Sequence, residues 1–219
     1  MAKADANTTI MLSANSLVRP NRNEAGRVEI LAAASEAFMR LGYARASIDE
    51  IADQLGATKG RVYHYYRSKA DILMDVHRHV LDLMMTGVAP LANGEGGPAE
   101  ILRAMVHQHA MLVMENLSFT RVALPNTTDL LVAEKRDFVR EINRARAQYE
   151  QMFVDVLERG MAEGVFRKAD ATVLAKPLLG SLNWTVIWYD DNKWGADRSR
   201  QEIADIIADY ALEGVVRSA

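Results

Sequence analysis

"TKGRVYHYYRSK", Thr58–Lys69, sets four basic residues and three tyrosines in twelve positions without one carboxylate, in a chain whose formal net charge is −3. On a helix, at about 100° per residue, Val62 and Tyr66 fall together and face a core, while Arg61, His64 and Tyr65 fall on the other side, open to water. Lys59 and Gly60 occupy the first turn after Thr58, where unpaired backbone N–H groups and the helix dipole favour an anion. Gly60 costs helix propensity, which is tolerable where a phosphate or base must come close. A basic helical face is by itself usually a solvated surface. The neighbouring segments decide against that reading.

Upstream, "SIDE" at Ser47–Glu50 has the spacing of a capping box, in which the serine hydroxyl and the glutamate carboxylate satisfy backbone donors reciprocally. Ile48, Ile51, Ala52 and Leu55 then face inward, and Gly56 stops the helix. Before it, Ile30, Ala34, Ala37, Phe38 and Leu41 form one stripe ended by Gly42 in a left-handed cap. Downstream, "SKAD" at Ser68 opens a longer helix, to about Thr86, carrying Ile72, Leu73, Val76, Val80 and Met84. Two short helices joined by a tight glycine-containing turn, with a helix on either side, make a helix-turn-helix. Such a unit lays its second helix in the major groove. Arginine and lysine can contact phosphate or guanine there, while tyrosine and histidine add hydrogen bonds and flat surfaces.

The rest of the 219 residues extends the same plan. Residues 1–22 mix Asn, Ser, Thr and Ala without periodicity and read as a mobile tail, from which Arg19 and Arg22 could touch a minor groove. "PLANGEGGP", Pro90–Pro98, is the strongest punctuation in the chain. Helical periodicity resumes over Ile101 to Asn116, roughly Asp129 to Glu163, Ala171 to Tyr189 and Ser199 to Arg217. No strand alternation occurs, so the fold class is all-α: a small N-terminal module and a larger helical body. Pro177 lies inside one helical run, which implies a kink or a later helix start.

"GYARASIDEIADQLGATKGRVYHYYRSKADIL", Gly42–Leu73, resembles the N-terminal signature of the TetR family of bacterial transcriptional regulators, and the likeness runs from about Glu24 to Val88. One departure is Tyr66, where that family usually has phenylalanine; its hydroxyl then needs a partner. By position, the resemblance implies a recognition surface of Lys59, Gly60, Arg61, Tyr63, His64 and Tyr65, with Arg61 reading a base. Ser47, Thr58 and Lys69 would hold phosphates. It implies three parts: a tail over 1–22, a DNA-binding domain over 23–70 leading into a connecting helix at 68–88, and a ligand-binding and dimerisation domain over 71–219. The partners implied are a palindromic double-stranded operator, a second copy of the chain and a small-molecule effector.

The last two helices suit self-association. Ile203, Ile207, Tyr210 and Gly214 form one stripe, and Leu174, Leu178, Leu182 and Trp188 form another, with Gly180 and Ser181 permitting close approach. Completing the protomer's own core is the alternative use of both stripes. "GSLNWTVIWYD", Gly180–Asp190, holds two tryptophans, a tyrosine and an asparagine near one helix end, a pocket lining if not core. This stretch, with "GMAEGVFRKAD" at Gly160–Asp170, is similar to segments of TetR relatives that control acyl-CoA catabolism. That likeness makes a CoA thioester the leading effector, with a free hydrophobic acid, an aromatic catabolite or a drug-like cation still open. The candidate ligand residues are His109, Tyr149, Phe153, Asn183, Trp184 and Trp188. Arg121, Arg140, Arg144 and Arg146 are available for CoA phosphates, although their alternation with acids on a long helix favours a solvated, salt-bridged face instead.

Catalysis and metal binding find little support. His77 and His79, like His107 and His109, stand two apart and point about 200° away from each other on a helix, the wrong spacing for joint ligation. No nucleophile elbow, P-loop, dinucleotide fingerprint or HExxH occurs, so neither an enzyme nor a cofactor is expected. No apolar run approaches the roughly 18 residues that span a bilayer, so no membrane association is expected. The absence of cysteine suits a reducing cytoplasm.

Overall fold

Ser47 accepts a hydrogen bond from the Glu50 backbone N–H and Glu50 reaches back to the Ser47 N–H, so the capping box at the start of the second helix is formed. Gly42 and Gly56 both have φ in the left-handed region, at 76° and 62°, where the helices they follow end. The computed structural model describes residues 22–124, 135–194 and 198–216. Its helices are α1 (Arg22–Leu41), α2 (Ile48–Gln54), α3 (Lys59–Tyr65), α4 (Lys69–Ala92), α5 (Pro98–Glu115), α6 (Leu117–Ala123), α7 (Arg136–Ala162), α8 (Ala171–Asn183), α9 (Thr185–Trp188), α10 (Asp191–Trp194) and α11 (Arg200–Glu213). A lone antiparallel bridge, Phe166 to Val216, is the one strand-like pairing among the described residues. The expected tail gives up Arg22, which opens α1; its other residues, Arg19 among them, the expected helix start near Asp129 and the expected helix end at Arg217 lie outside the described residues.

One continuous core ties the small module to the body. Ile30, Leu31 and Phe38 of α1, Ile51 of α2 and Val62 of α3 join Ile72, Leu73 and Val76 of α4, and the same cluster continues through Leu102, Ile142, Phe153 and Leu157. A satellite cluster holds Met114, Tyr189, Ile203 and Ala204, with Trp188 and Trp194 packed on it. Where α7 ends, Gly160 faces the Phe166 ring so closely that an added Cβ would sit 2.1 Å from a ring carbon, so only glycine permits that packing.

Several expected boundaries move. Helix α4 runs on through Pro90 to Ala92, because a proline in the last turn forfeits one backbone bond where the helix is already ending. Pro98 then opens α5 at a position that has no intrahelical N–H bond to lose. The run expected over Ala171 to Tyr189 divides at Trp184 into α8 and α9, and Pro177 lies exposed inside α8. Asp170 caps α8, accepting from the Val173 N–H at 3.0 Å, so its start falls where the periodicity places it.

Candidate nucleic-acid interface and buried cavity

Helix α3 is held by one face only. Val62 is fully buried and Tyr66 nearly so, whereas Lys59, Gly60, Arg61, Tyr63 and His64 are exposed, Tyr63 by 55%. Tyr65 departs from expectation: it is half-buried, with its hydroxyl end against Gly26 of α1. It stands only about 60° around the helix from Val62, so it borders the packed face, and Gly26 leaves room for the ring. His64 and Tyr63 take the outward positions. Two of the cations are already paired across exposed surface, Lys59 with Asp49 at 2.6 Å and Arg61 with Glu29.

Ser47, Thr58 and Lys69 differ in how free they are to hold phosphates. Thr58 occupies the N-cap position of α3 without using its side chain as a cap. The Ser47 hydroxyl is engaged with Glu50, both accepting from the backbone and donating to the carboxylate. Lys69 is engaged within the protein. Its ammonium donates to the carbonyls of Tyr43 at 2.6 Å, Ala46 at 2.8 Å and Ala44 at 3.1 Å, and lies over the Tyr43 ring. All three of its donors close the turn between α1 and α2.

The Tyr66 hydroxyl has its partner. It donates to Asp75 of α4 at 2.5 Å, and Arg27 of α1 donates two further bonds to the same carboxylate, at 2.6 and 2.8 Å. Burial alone would raise the Asp75 carboxyl, but the bonds from Arg27 and Tyr66 outweigh it and hold it below the usual carboxylate range. This three-residue node fixes the end of α3 to the first turns of α4.

Beginning two residues after Asp75, at His77, α4 lines a cavity of about 320 Å³ inside the helical body. His77, Leu81 and Met84 contribute from α4, His109 from α5, Tyr149 and Arg146 from α7, and Leu179 and Asn183 from α8. His109 and His77 are almost wholly buried, while Lys176, 63% exposed and bonded to Glu150 at 2.6 Å, marks the solvent end. Burial holds both histidines neutral, pushing each down to about 4, with Arg146 adding to the effect at His77 and Asn183 opposing it at His109. The Tyr149 hydroxyl lies 2.8 Å from His109 Nδ1, and burial raises its pKa.

Of the six expected ligand residues, His109, Tyr149 and Asn183 are thus brought together. Phe153 lies in the core beside the Tyr149 ring and does not line the cavity. Trp184 points outward, 62% exposed, because α8 ends at Asn183 and the chain turns there. Trp188 packs edge-on against Trp194 in the satellite cluster, away from the cavity. Sequence reading missed His77 and Lys176 as lining. The signal for His77 was its place beside Val76 and Val80 on an otherwise apolar stripe. Of the four arginines considered for phosphates, Arg146 alone lines the cavity; Arg121 instead caps α9 through the carbonyls of Val186 and Tyr189. No group of three or more potential metal ligands occurs among the described residues. No described helix is long and apolar enough to cross a membrane.

Residues 95–215 match the family model described as Tetracyclin repressor-like, C-terminal domain, and residues 30–76 match Bacterial regulatory proteins, tetR family. The HTH-type transcriptional repressor KstR2 of Mycolicibacterium smegmatis is 27% identical over 209 residues, covering 91% of this chain and 95% of that protein. The ketosteroid transcriptional regulator KstR2 of Mycobacterium tuberculosis shares the fold, with a TM-score of 0.77 at 22% identity over 88% of this chain and 95% of the other. AibR, solved in complex with isovaleryl coenzyme A and operator DNA, shares it with a TM-score of 0.68 at 22% identity, over 87% and 98% of the two chains.

Proposed function

The chain belongs to the TetR family and is a DNA-binding transcriptional repressor, not an enzyme; from that premise we propose that it acts as a homodimer released from a palindromic operator by an acyl-type effector, bound in the cavity of each protomer. The observation that carries this reading is the double service of α4. Its middle lines the cavity through His77, Leu81 and Met84, and its first turns carry Asp75, bonded to both α1 and Tyr66. An effector that favours a shifted α4 favours a changed spacing of the two α3 helices. Release requires only that the effector bind one arrangement better than the other.

The exposed residues of α3, Lys59, Arg61, Tyr63 and His64, form the reading surface in this proposal, with Thr58 beside them. Arg61 remains the base reader, and Tyr65 supports from the edge. Dimerisation uses the outer faces of α8, α9 and α11, where Val173, Trp184, Ile187, Ile206 and Tyr210 are exposed. Two half-sites about one helical turn apart then meet two copies of α3.

The cavity volume lies at the small end of the range for ligand sites, roughly 300–1,000 Å³. It suits a compact apolar group and leaves a CoA nucleotide outside, toward Lys176. The isovaleryl coenzyme A complex of AibR and the ketosteroid role named for KstR2 lend support to an acyl or ring-bearing effector. The test is enrichment of duplexes from a random pool, followed by titration of the best duplex with acyl-CoAs and the matching free acids. Symmetric enriched sites, released by a thioester but not by coenzyme A alone, are expected. Failure to enrich any symmetric sequence would overturn the dimeric-operator reading, and indifference to every acyl compound would overturn the effector.

A further inference from the structure

The cavity between α4 and α8 joins apolar walls to an excess of positive charge. Val80, Leu81, Met84 and Leu179 offer only apolar contact, whereas Arg146, Glu150 and Lys176 bring charge to the same lining. Both histidines are neutral at pH 7, since burial pushes each down to about 4. His109 is engaged with the Tyr149 hydroxyl at 2.8 Å and with Asn183, so that part of the wall is uncharged and already bonded. Among the described lining residues, two cations therefore stand against one carboxylate.

That carboxylate is engaged as well. Glu150 accepts two bonds from Lys176, at 2.6 and 2.7 Å. Arg146 supplies the excess charge. It stands one turn before Glu150 on α7, and its guanidinium donates to the Ala123 carbonyl of α6 at 2.8 Å. It also lowers the pKa of buried His77 on α4, so its charge is felt inside the cavity. A cation entering here would meet like charge from Arg146 and Lys176. A neutral ligand would shield a guanidinium from water without return. An anion gains from both, and a planar guanidinium offers a carboxylate two parallel N–H···O bonds. At about 320 Å³ the cavity suits a carboxylate on a compact apolar body, not a nucleotide.

We propose that Arg146 binds a carboxylate of the effector, whose apolar body lies along Val80, Leu81, Met84 and Leu179. The inference rests on the cavity being the effector site, and it narrows the effector to a carboxylate-bearing molecule. That molecule is either a free acid or a thioester whose acyl chain ends in a second acid. Either way the ligand's charge comes to lie beside His77, two residues from Asp75 on the helix that anchors α3.

The test uses the full chain labelled at its methionine methyl groups, with Met84, buried on the cavity wall, reporting occupancy by NMR. The probes are octanoate, octanamide, octanoyl-CoA and octanedioyl-CoA. Octanoate should bind about tenfold tighter than octanamide if the source is a free acid. Octanedioyl-CoA should bind about tenfold tighter than octanoyl-CoA if the source is the acyl chain. Arg146→Met should abolish the preference while the neutral partner of the pair still binds, which shows the cavity intact. Arg146→Lys, which keeps the charge but loses the fork, should retain a reduced preference, and Lys176→Met should leave it in place. No preference in either pair, or one that survives Arg146→Met, overturns the carboxylate reading while the cavity remains a ligand site. Binding of coenzyme A alone that is lost in Arg146→Met would make this arginine a phosphate holder and overturn it equally. No perturbation of Met84 by any probe overturns the effector site as well.

Discussion

Lys59 and Arg61 can reach DNA only by leaving Asp49 and Glu29. Exposed pairs of this kind contribute about 0.2–1 kcal/mol each, so they act as a mild internal competitor for the phosphates and bases. The double variant Glu29→Gln with Asp49→Asn should bind duplexes about two- to tenfold tighter, read by fluorescence anisotropy at fixed salt. Unchanged or weaker binding would show that the cations point elsewhere on DNA. Lys69 presents the opposite case. Its three carbonyl bonds predict that Lys69→Met costs roughly 1–2 kcal/mol in urea unfolding, while the salt dependence of DNA binding keeps its slope. A slope lower by about one unit would return Lys69 to the phosphate contacts. Spacing located this lysine at a helix start beside the groove, but which oxygens it would find depended on the turn from Tyr43 to Ala46. That path is set by the packing of α1 against α2, and no local pattern announces it.

Helices α1 to α4 were legible because their ends are written in side chains: Gly42, the Ser47 box, Gly56 and Ser68. The ends that escaped lack such marks. The break at Trp184 comes inside an unbroken apolar run, and α6 follows α5 after a single residue, Asn116, where periodicity barely changes. The cavity was half-legible for a related reason. Polar residues in an apolar stripe, such as His109, point to a lining, but aromatic residues serve core, cavity and surface alike, so Trp184 and Phe153 could not be sorted before the helix angles were known. The two buried histidines have a measurable consequence for the α4–α5 pair. Each is held near pKa 4 and regains about 6.5 on unfolding, so the unfolded chain binds more protons between those values. Stability should therefore be flat in its histidine contribution above about pH 7 and fall as pH drops from 6.5 toward 4. His77→Phe should reduce that slope by about one proton, measured by urea unfolding at a series of pH values. An undiminished slope would place the proton uptake elsewhere.

At the scale of the whole molecule, α11 must choose which apolar face it gives to its own protomer. The sequence stripe of Ile203, Ile207 and Tyr210 is divided by the fold: Ile203 is buried against α5 with Ala204 and Ala208, while Tyr210 is 71% exposed with Ile206 beside it. On α8, Leu178 and Leu182 likewise turn inward, and Val173 stays outside. Helical spacing could not separate these uses, because both faces are apolar and only the position of α5 ranks them. Two of the outward residues, Trp184 and Tyr210, are large aromatics, and Tyr210 borders the same surface groove as Leu174, Pro177 and Ser181 of α8, the character of an interface rather than of scattered surface residues. The double variant Trp184→Glu with Tyr210→Glu buries no charge in the protomer, so it should keep full helicity and a cooperative melt. Sedimentation equilibrium should report half the wild-type mass. Operator binding should weaken by about a hundredfold or more, since each protomer would hold one half-site without the gain from its linked partner. A half-mass protein that still bound the operator at wild-type strength would show that DNA, not this face, brings the two copies together. A full-mass variant would move the interface to another surface altogether.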